Sequence, residues 1–208
     1  MEKESSTDQA DLISKIEQDK HISSKNLLTK KILTESDVDE ALQHEDPEIR
    51  EYVVTHCKLT ENQVETGLRD KCFSVRYNTI LNNKLTEFHI DGCFERPNEL
   101  DFLFQVVIRY KLTELQINRG LNPNIYPAEV RLQIVKNNHL TENQVDRGLK
   151  DPNANIRYEI MKNNRLTESQ IDRVIEDETL IVWRTVDHYC LLTDAQKKRV
   201  AERMKNDE

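Results

Sequence analysis

The dipeptide Leu-Thr recurs seven times, at 33/34, 59/60, 85/86, 112/113, 140/141, 166/167 and 192/193. Successive copies are 26, 26, 27, 28, 26 and 26 residues apart. A self-similar period of this length confines a chain to stacked supersecondary units, because one unit cannot bury its apolar side without its neighbours.

Each copy also opens a helix. Thr is a good N-cap, and a Gln three residues on can return a bond to the cap's own N–H, closing a capping box. Thr60/Gln63, Thr113/Gln116, Thr141/Gln144, Thr167/Gln170 and Thr193/Gln196 have this spacing. Leu before the cap and Val or Ile after it (Leu59/Val64, Leu140/Val145, Leu166/Ile171) are placed as hydrophobic staples. Glu at the first helical position (35, 61, 87, 114, 142, 168) suits the positive end of the helix dipole. On this reading Thr141→Ala costs about 1 kcal/mol and Gln144→Ala costs less, being half of the box.

The first helix of a unit runs from Thr to about the Leu eight residues later, as from Thr141 to Leu149. A turn then carries Asp or Asn before Pro (Asp46-Pro47, Asn122-Pro123, Asp151-Pro152), a cap followed by the residue best tolerated in a first turn. The second helix ends on Asn in several copies (Asn83, Asn138, Asn164), which predicts a left-handed closing residue. In the chain as a whole, residues 1–8 read as a flexible tail and 9–32 as degenerate N-terminal capping helices. Residues 33–191 form six helix–turn–helix repeats, and 192–208 a charged C-terminal capping helix.

The run Asp151-Pro-Asn-Ala-Asn-Ile-Arg-Tyr-Glu-Ile-Met-Lys-Asn-Asn-Arg-Leu-Thr-Glu-Ser-Gln-Ile-Asp resembles the leucine-rich repeat variant family, a relative of HEAT-like repeats. Residues 33–191 follow its pattern with varying fidelity. The resemblance implies an all-α, right-handed α-solenoid of about six to seven two-helix repeats of 26–28 residues that binds other macromolecules. Some members carry an N-terminal iron–sulfur motif, which this sequence lacks. Similar arrays occur in bacterial and large-phage proteins.

Composition narrows the function. The 208 residues carry a net charge of −8, which argues against a general nucleic-acid binder. No apolar run has membrane-spanning length and no signal-peptide pattern is present, so a cytoplasmic protein without membrane contact is expected. Cys57, Cys72, Cys93 and Cys190 have neither C-x-x-C nor metal-ligand spacing. The sequence has four glycines and no phosphate loop, no H-E-x-x-H and no G-x-S-x-G, and its six histidines are scattered. No enzyme, metal or cofactor is expected.

Helical geometry divides the second helix into faces. With the Val or Ile before the repeat Arg as origin and about 100° per residue, the Arg, the fourth, fifth and eighth positions on share one packed arc. Arg50, Arg76, Arg131 and Arg157 are thereby expected to form a structural ladder with carboxylates such as Asp70, Asp151 or Asp177, with anion binding the alternative. On the opposite side, at roughly 200°, the six repeats read Glu51, Tyr77, Phe104, Leu132, Tyr158, Arg184. Beside it, at roughly 240°, they read Thr55, Leu81, Ile108, Lys136, Lys162, His188. Tyr77, Leu81, Phe104, Ile108, Leu132, Lys136, Tyr158 and Lys162 are the expected partner-binding residues; the alternative is that they cover neighbouring helices. Repeat three departs from the pattern, with Leu103 for Arg and Tyr110 for Asn. Repeat four has an enlarged turn through Tyr126 and Pro127, read as a functional insertion or as drift.

The sequence thus points to a non-enzymatic helical-repeat module that binds a protein, in the manner of a phage-type inhibitor or adaptor docking on a host protein. The alternative is a nucleic-acid binder using Lys58, Lys84, Lys111, Lys136, Lys162 and Arg165 as phosphate contacts.

Overall fold

A computed structural model describes residues 34–96 and 99–206. The tail and the N-terminal capping helices expected at 1–8 and 9–32 lie outside them. Among the described residues there are fourteen helices and no strand. In chain order they are α1 Glu35–Leu42, α2 Pro47–His56, α3 Glu61–Leu68, α4 Phe73–Asn82, α5 Glu87–Phe94, α6 Leu100–Arg109 and α7 Glu114–Gly120. There follow α8 Ala128–Asn137, α9 Glu142–Gly148, α10 Ala154–Asn163, α11 Glu168–Ile175, α12 Leu180–Trp183, α13 Val186–Tyr189 and α14 Asp194–Asn206. The chain is an all-α helical-repeat protein. It divides into two compact units, one through Ile90 and one from Asp91.

The repeat-opening Thr caps its helix as its chemistry requires. Thr141 Oγ1 accepts from Gln144 N and Gln144 Oε1 from Thr141 N, at 3.4 and 2.9 Å. Thr60, Thr113, Thr167 and Thr193 make the same reciprocal pair with their Gln. Thr34 makes it with Asp37, and Thr86 with the ring of His89.

The Gln does more than close its own box. Gln144 is buried, and its Nε2 donates to Glu114 O at 3.2 Å and Asn118 Oδ1 at 3.0 Å in the preceding repeat. Gln63 reaches Asp39, Gln116 reaches Asp91, Gln170 reaches Asp146 and Gln196 reaches Asp172, all within 3.0 Å. This reverses the sequence expectation for the pair. Gln144→Ala strips three buried bonds at about 1 kcal/mol each, so a loss of about 2–3 kcal/mol is expected against about 1 kcal/mol for Thr141→Ala. Chemical denaturation of the two variants checks the order; equal losses would mean that the stitch to Asn118 and Glu114 adds nothing.

The second helices form the interior. In the first unit α2 packs on α4, with Val53, Val54 and Val75 fully buried. In the second unit α6 packs on α8, α8 on α10 and α10 on α12, around Leu103, Val106, Ile134, Ile156, Ile160 and Trp183. Three first helices, α3, α7 and α9, set a glycine (Gly67, Gly120, Gly148) against the second helix of the same repeat. A Cβ on Gly148 would stand 1.8 Å from Ile160 Cδ1, so only hydrogen fits there.

Three of the four expected rungs of the arginine ladder pair with an acid 20 residues on; at the fourth, Arg76 Nη1 donates to Asp70 O at 2.7 Å, and the residue 20 positions on is Arg96. Arg50 grips Asp70 with Nε–Oδ2 2.6 Å and Nη2–Oδ1 2.9 Å. Arg131 grips Asp151 at 2.8 and 2.8 Å, and Arg157 grips Asp177 at 2.6 and 2.9 Å. Each acid stands 20 residues beyond its arginine and also caps the next turn, as Asp151 Oδ1 does by accepting from Asn153 N. The remaining guanidinium nitrogen Nη1 donates to carbonyls of the arginine's own turn, His44 O and Glu45 O for Arg50 and Asp151 O for Arg157. The fully used fork leaves these arginines to structure, not to an external anion.

The last repeat swaps the rung's chemistry. Trp183 occupies the arginine position and Arg203, 20 residues on, the acid position. The Arg203 guanidinium lies 4.5 Å over the Trp183 ring and donates to Ile175 O and Asp177 O, closing the C-terminal end of α11 by a cation–π contact.

One expectation is corrected, and two repeats depart from the common plan. Asn83, Asn138 and Asn164 are not left-handed: their φ values are −124°, −126° and −125°, and no described residue has positive φ. Their side chains serve the helix end instead, Asn138 Nδ2 donating to Ile134 O at 2.9 Å while its Oδ1 accepts from Leu112 N. The second helix of repeat six is split into α12 and α13, and Thr185 at the break donates its hydroxyl to Ile181 O at 2.7 Å. The enlarged turn of repeat four is a plug. Tyr126 is buried, its hydroxyl donates to Phe94 O at 2.8 Å, and its ring meets Phe94 edge-on.

The ladder acids give a pH dependence. Burial raises the carboxyl pKa of Asp70 and Asp177, but bonding to Arg50 or Arg157 and to the N–H of Cys72 or Thr179 outweighs it, and both sit below the ordinary range. A depressed folded pKa contributes stability that is complete above the unfolded value and is lost as pH falls through the folded one. Unfolding free energy is therefore expected to decline below about pH 4, less steeply in Asp70→Asn. Urea midpoints against pH test this, and an unchanged slope in the variant would refute it.

Candidate functional site

Of the nine exposed large apolar side chains among the described residues, Phe73, Leu100, Ile108 and Leu180 lie on the face opposite the packed arc of the second helices, whereas Phe88, Leu115 and Leu191, the most exposed, lie elsewhere. In the first unit Tyr77 and Leu81 are half-buried on α4. Phe73, one turn earlier, is 47% exposed and stacks on Tyr77 with centroids 5.8 Å apart.

The second unit holds the other six expected residues on α6, α8 and α10, which pack side by side in that order. Phe104, Leu132 and Tyr158 are half-buried, whereas Ile108 (42% exposed), Lys136 and Lys162 face solvent. The outer row is therefore open surface, and the inner row is partly covered. Tyr158 is the most tied of them: its hydroxyl lies 3.1 Å from that of Tyr189 on α13, the rings meeting edge-on.

The sequence reading missed a third row. Leu100 precedes Phe104 by one turn and is exposed, making Leu100/Phe104/Ile108 an apolar stripe along α6 like Phe73/Tyr77/Leu81 along α4. Leu180 occupies the same position in the last repeat and is also exposed. The signal was available: four residues before Tyr77 or Phe104 is the same helix face.

The charged residues are arranged by the helices. Lys58, Lys84, Lys111, His139 and Arg165 are exposed just past the C-termini of second helices, where the dipole favours cations. Three residues after each stands an exposed Glu (61, 87, 114, 142, 168) at the start of the next first helix. Each positive row is thus accompanied by a negative one.

Among the described residues no cluster of three or more His, Cys, Asp or Glu could hold a metal, and no helix is long and apolar enough to cross a membrane. Burial pushes the Cys190 thiol up to about 11, which keeps it protonated and unreactive at neutral pH.

No family model and no curated protein matches the sequence. A solved structure described as a leucine-rich repeat variant with a novel repetitive structural motif superposes with a TM-score of 0.57 at 13% identity, covering 94% of this chain and 82% of that one. At that identity the likeness is one of fold, and it matches the repeat architecture described above.

Proposed function

We propose that this protein is a non-enzymatic protein-binding module of the adaptor or inhibitor type. It would dock on its partner through the open face of the second helices. The observation that carries this reading is the stripe Leu100, Phe104 and Ile108 on α6, with Leu132 on the adjoining α8. Large apolar side chains kept at the surface in a row mark interaction sites more often than chance placement, and aromatic anchors beside aliphatic ones are the composition of interface centres.

The charge layout speaks against nucleic acid. A phosphate backbone following Lys111, His139 and Arg165 would meet Glu114, Glu142 and Glu168 alongside, and the anchors on α6 are mainly aliphatic rather than stacking platforms. A photo-crosslinking side chain placed at position 108 in the source cells is expected to yield protein adducts, and one at exposed position 115 on α7 is not. Nucleic-acid adducts at 108, or none at all, would overturn the reading.

A further inference from the structure

We infer that the second unit's docking face takes an acidic segment of its partner, with apolar residues at one end and carboxylates at the other; this rests on the protein-docking reading above. The two rows of the face run across α6, α8, α10 and the α12–α13 pair as Phe104, Leu132, Tyr158, Arg184 and Ile108, Lys136, Lys162, His188. Eight positions hold no acid in a chain of net charge −8 with 38 carboxylate residues. The composition also has a direction. The α6 end is wholly apolar, and α8 and α10 each set a Lys beside an apolar side chain. The last repeat presents Arg184 and His188, both exposed.

Helices α6, α8 and α10 carry three acids near these rows. Asp101 and Glu129 sit in the first turns of α6 and α8, at the opposite end from the lysines, where the helix dipole favours them. Glu159 accepts from Asn163 and lies 3.5 Å from Lys162 Nζ. Lys136 and Lys162 lie in the last turns of α8 and α10, where the negative helix ends favour cations, so both ammonium groups stand at the same edge. A carboxylate-bearing segment is steered to such an edge, and its apolar residues reach Ile108 and Leu132. A neutral apolar segment would leave the cationic half unused, and a phosphate backbone would leave the apolar half unused.

A random-peptide display selection on the intact protein tests this without knowledge of the partner. Selected peptides are expected to be enriched in Asp and Glu beside aliphatic or aromatic residues. Their affinity should fall about tenfold or more in Lys136→Glu/Lys162→Glu, with retained affinity for glutamine-substituted versions of the same peptides. Oligothymidylate is expected not to compete. Neutral peptides that depend on Phe104 and Ile108 but ignore the lysine substitutions would overturn the acidic partner and leave protein docking standing. Failure to select any peptide, or competition by oligothymidylate, would overturn the inference. Loss of the position-108 protein adduct is the separate measurement that would sink the underlying reading.

Discussion

Replacing Arg131 with methionine is expected to lower the unfolding free energy by about 3–5 kcal/mol, the range for breaking a buried ion pair from one side. Arg131 and Asp151 have side-chain exposures of 5% and 4%, so neither charge can turn to water when the other is removed. Asp151 Oδ1 would keep its bond from Asn153 N, but the two guanidinium bonds at 2.8 Å would go, and so would the one to Tyr126 O that holds the enlarged turn. Arg157→Met should cost less, since its pair is 14% and 10% exposed. Arg199, whose links to Asp172 and Glu176 lie among side chains 40% or more exposed, should contribute under about 1 kcal/mol. Removing both members, as in Arg131→Met/Asp151→Ala, should cost less than the sum of the single losses, because the second removal no longer orphans a charge. Urea denaturation of the parent protein and of these variants, with Asp151→Ala beside them, measures this. A loss under about 1 kcal/mol for Arg131→Met would show that the ladder is ornamental and that apolar packing alone orders the stack.

The helices were legible because their start signals are local. Thr, Glu and Gln at fixed spacing specify a cap whatever surrounds them, and each of the five boxes read from that spacing is formed. The bond from Gln to the previous repeat is not a local property, yet its trace was present. An Asp or Asn stands five residues after the repeat Thr at Asp39, Asp91, Asn118, Asp146 and Asp172, and those residues receive the Gln of the following unit. After Thr60 the same position is Glu65, and the following unit has His89 in place of Gln, its ring turned to Glu61 O instead. The closing Asn was misread because Asn suits both a left-handed residue and an extended one whose amide takes over the capping, and the sequence does not choose between them. The Trp183–Arg203 rung escaped notice because the cation moved to the other end of the rung. On the docking face, periodicity separated the open side from the packed one, but how far each residue stands out depends on its neighbours across the helix seam. That is why Ile108 is open while Phe104 and Leu132 are half-covered.

Ile108→Ser combined with Phe104→Ala is expected to abolish partner binding. Anchors of this kind contribute about 2 kcal/mol each, and two together correspond to a loss of roughly a thousandfold in affinity. The pair must be read beside the single Ile108→Ser variant, because the residues differ in what they do for the fold. Ile108 is 42% exposed, so its loss should move stability by no more than about 0.5 kcal/mol. Phe104 is half-buried, so its truncation gives up some buried area as well as an anchor. Leu115→Ser supplies the control: it is 68% exposed on α7, so it removes as much apolar surface from the protein without touching the second helices. The readout is co-purification of the protein crosslinked at position 108, beside a thermal melt of every variant. The expected pattern is weakened capture with an unchanged melt for Ile108→Ser, lost capture for the double variant, and full capture for Leu115→Ser. An Ile108→Ser protein that melts early would make the row part of the core. One that melts normally and still captures its partner would move the docking site off α6 altogether.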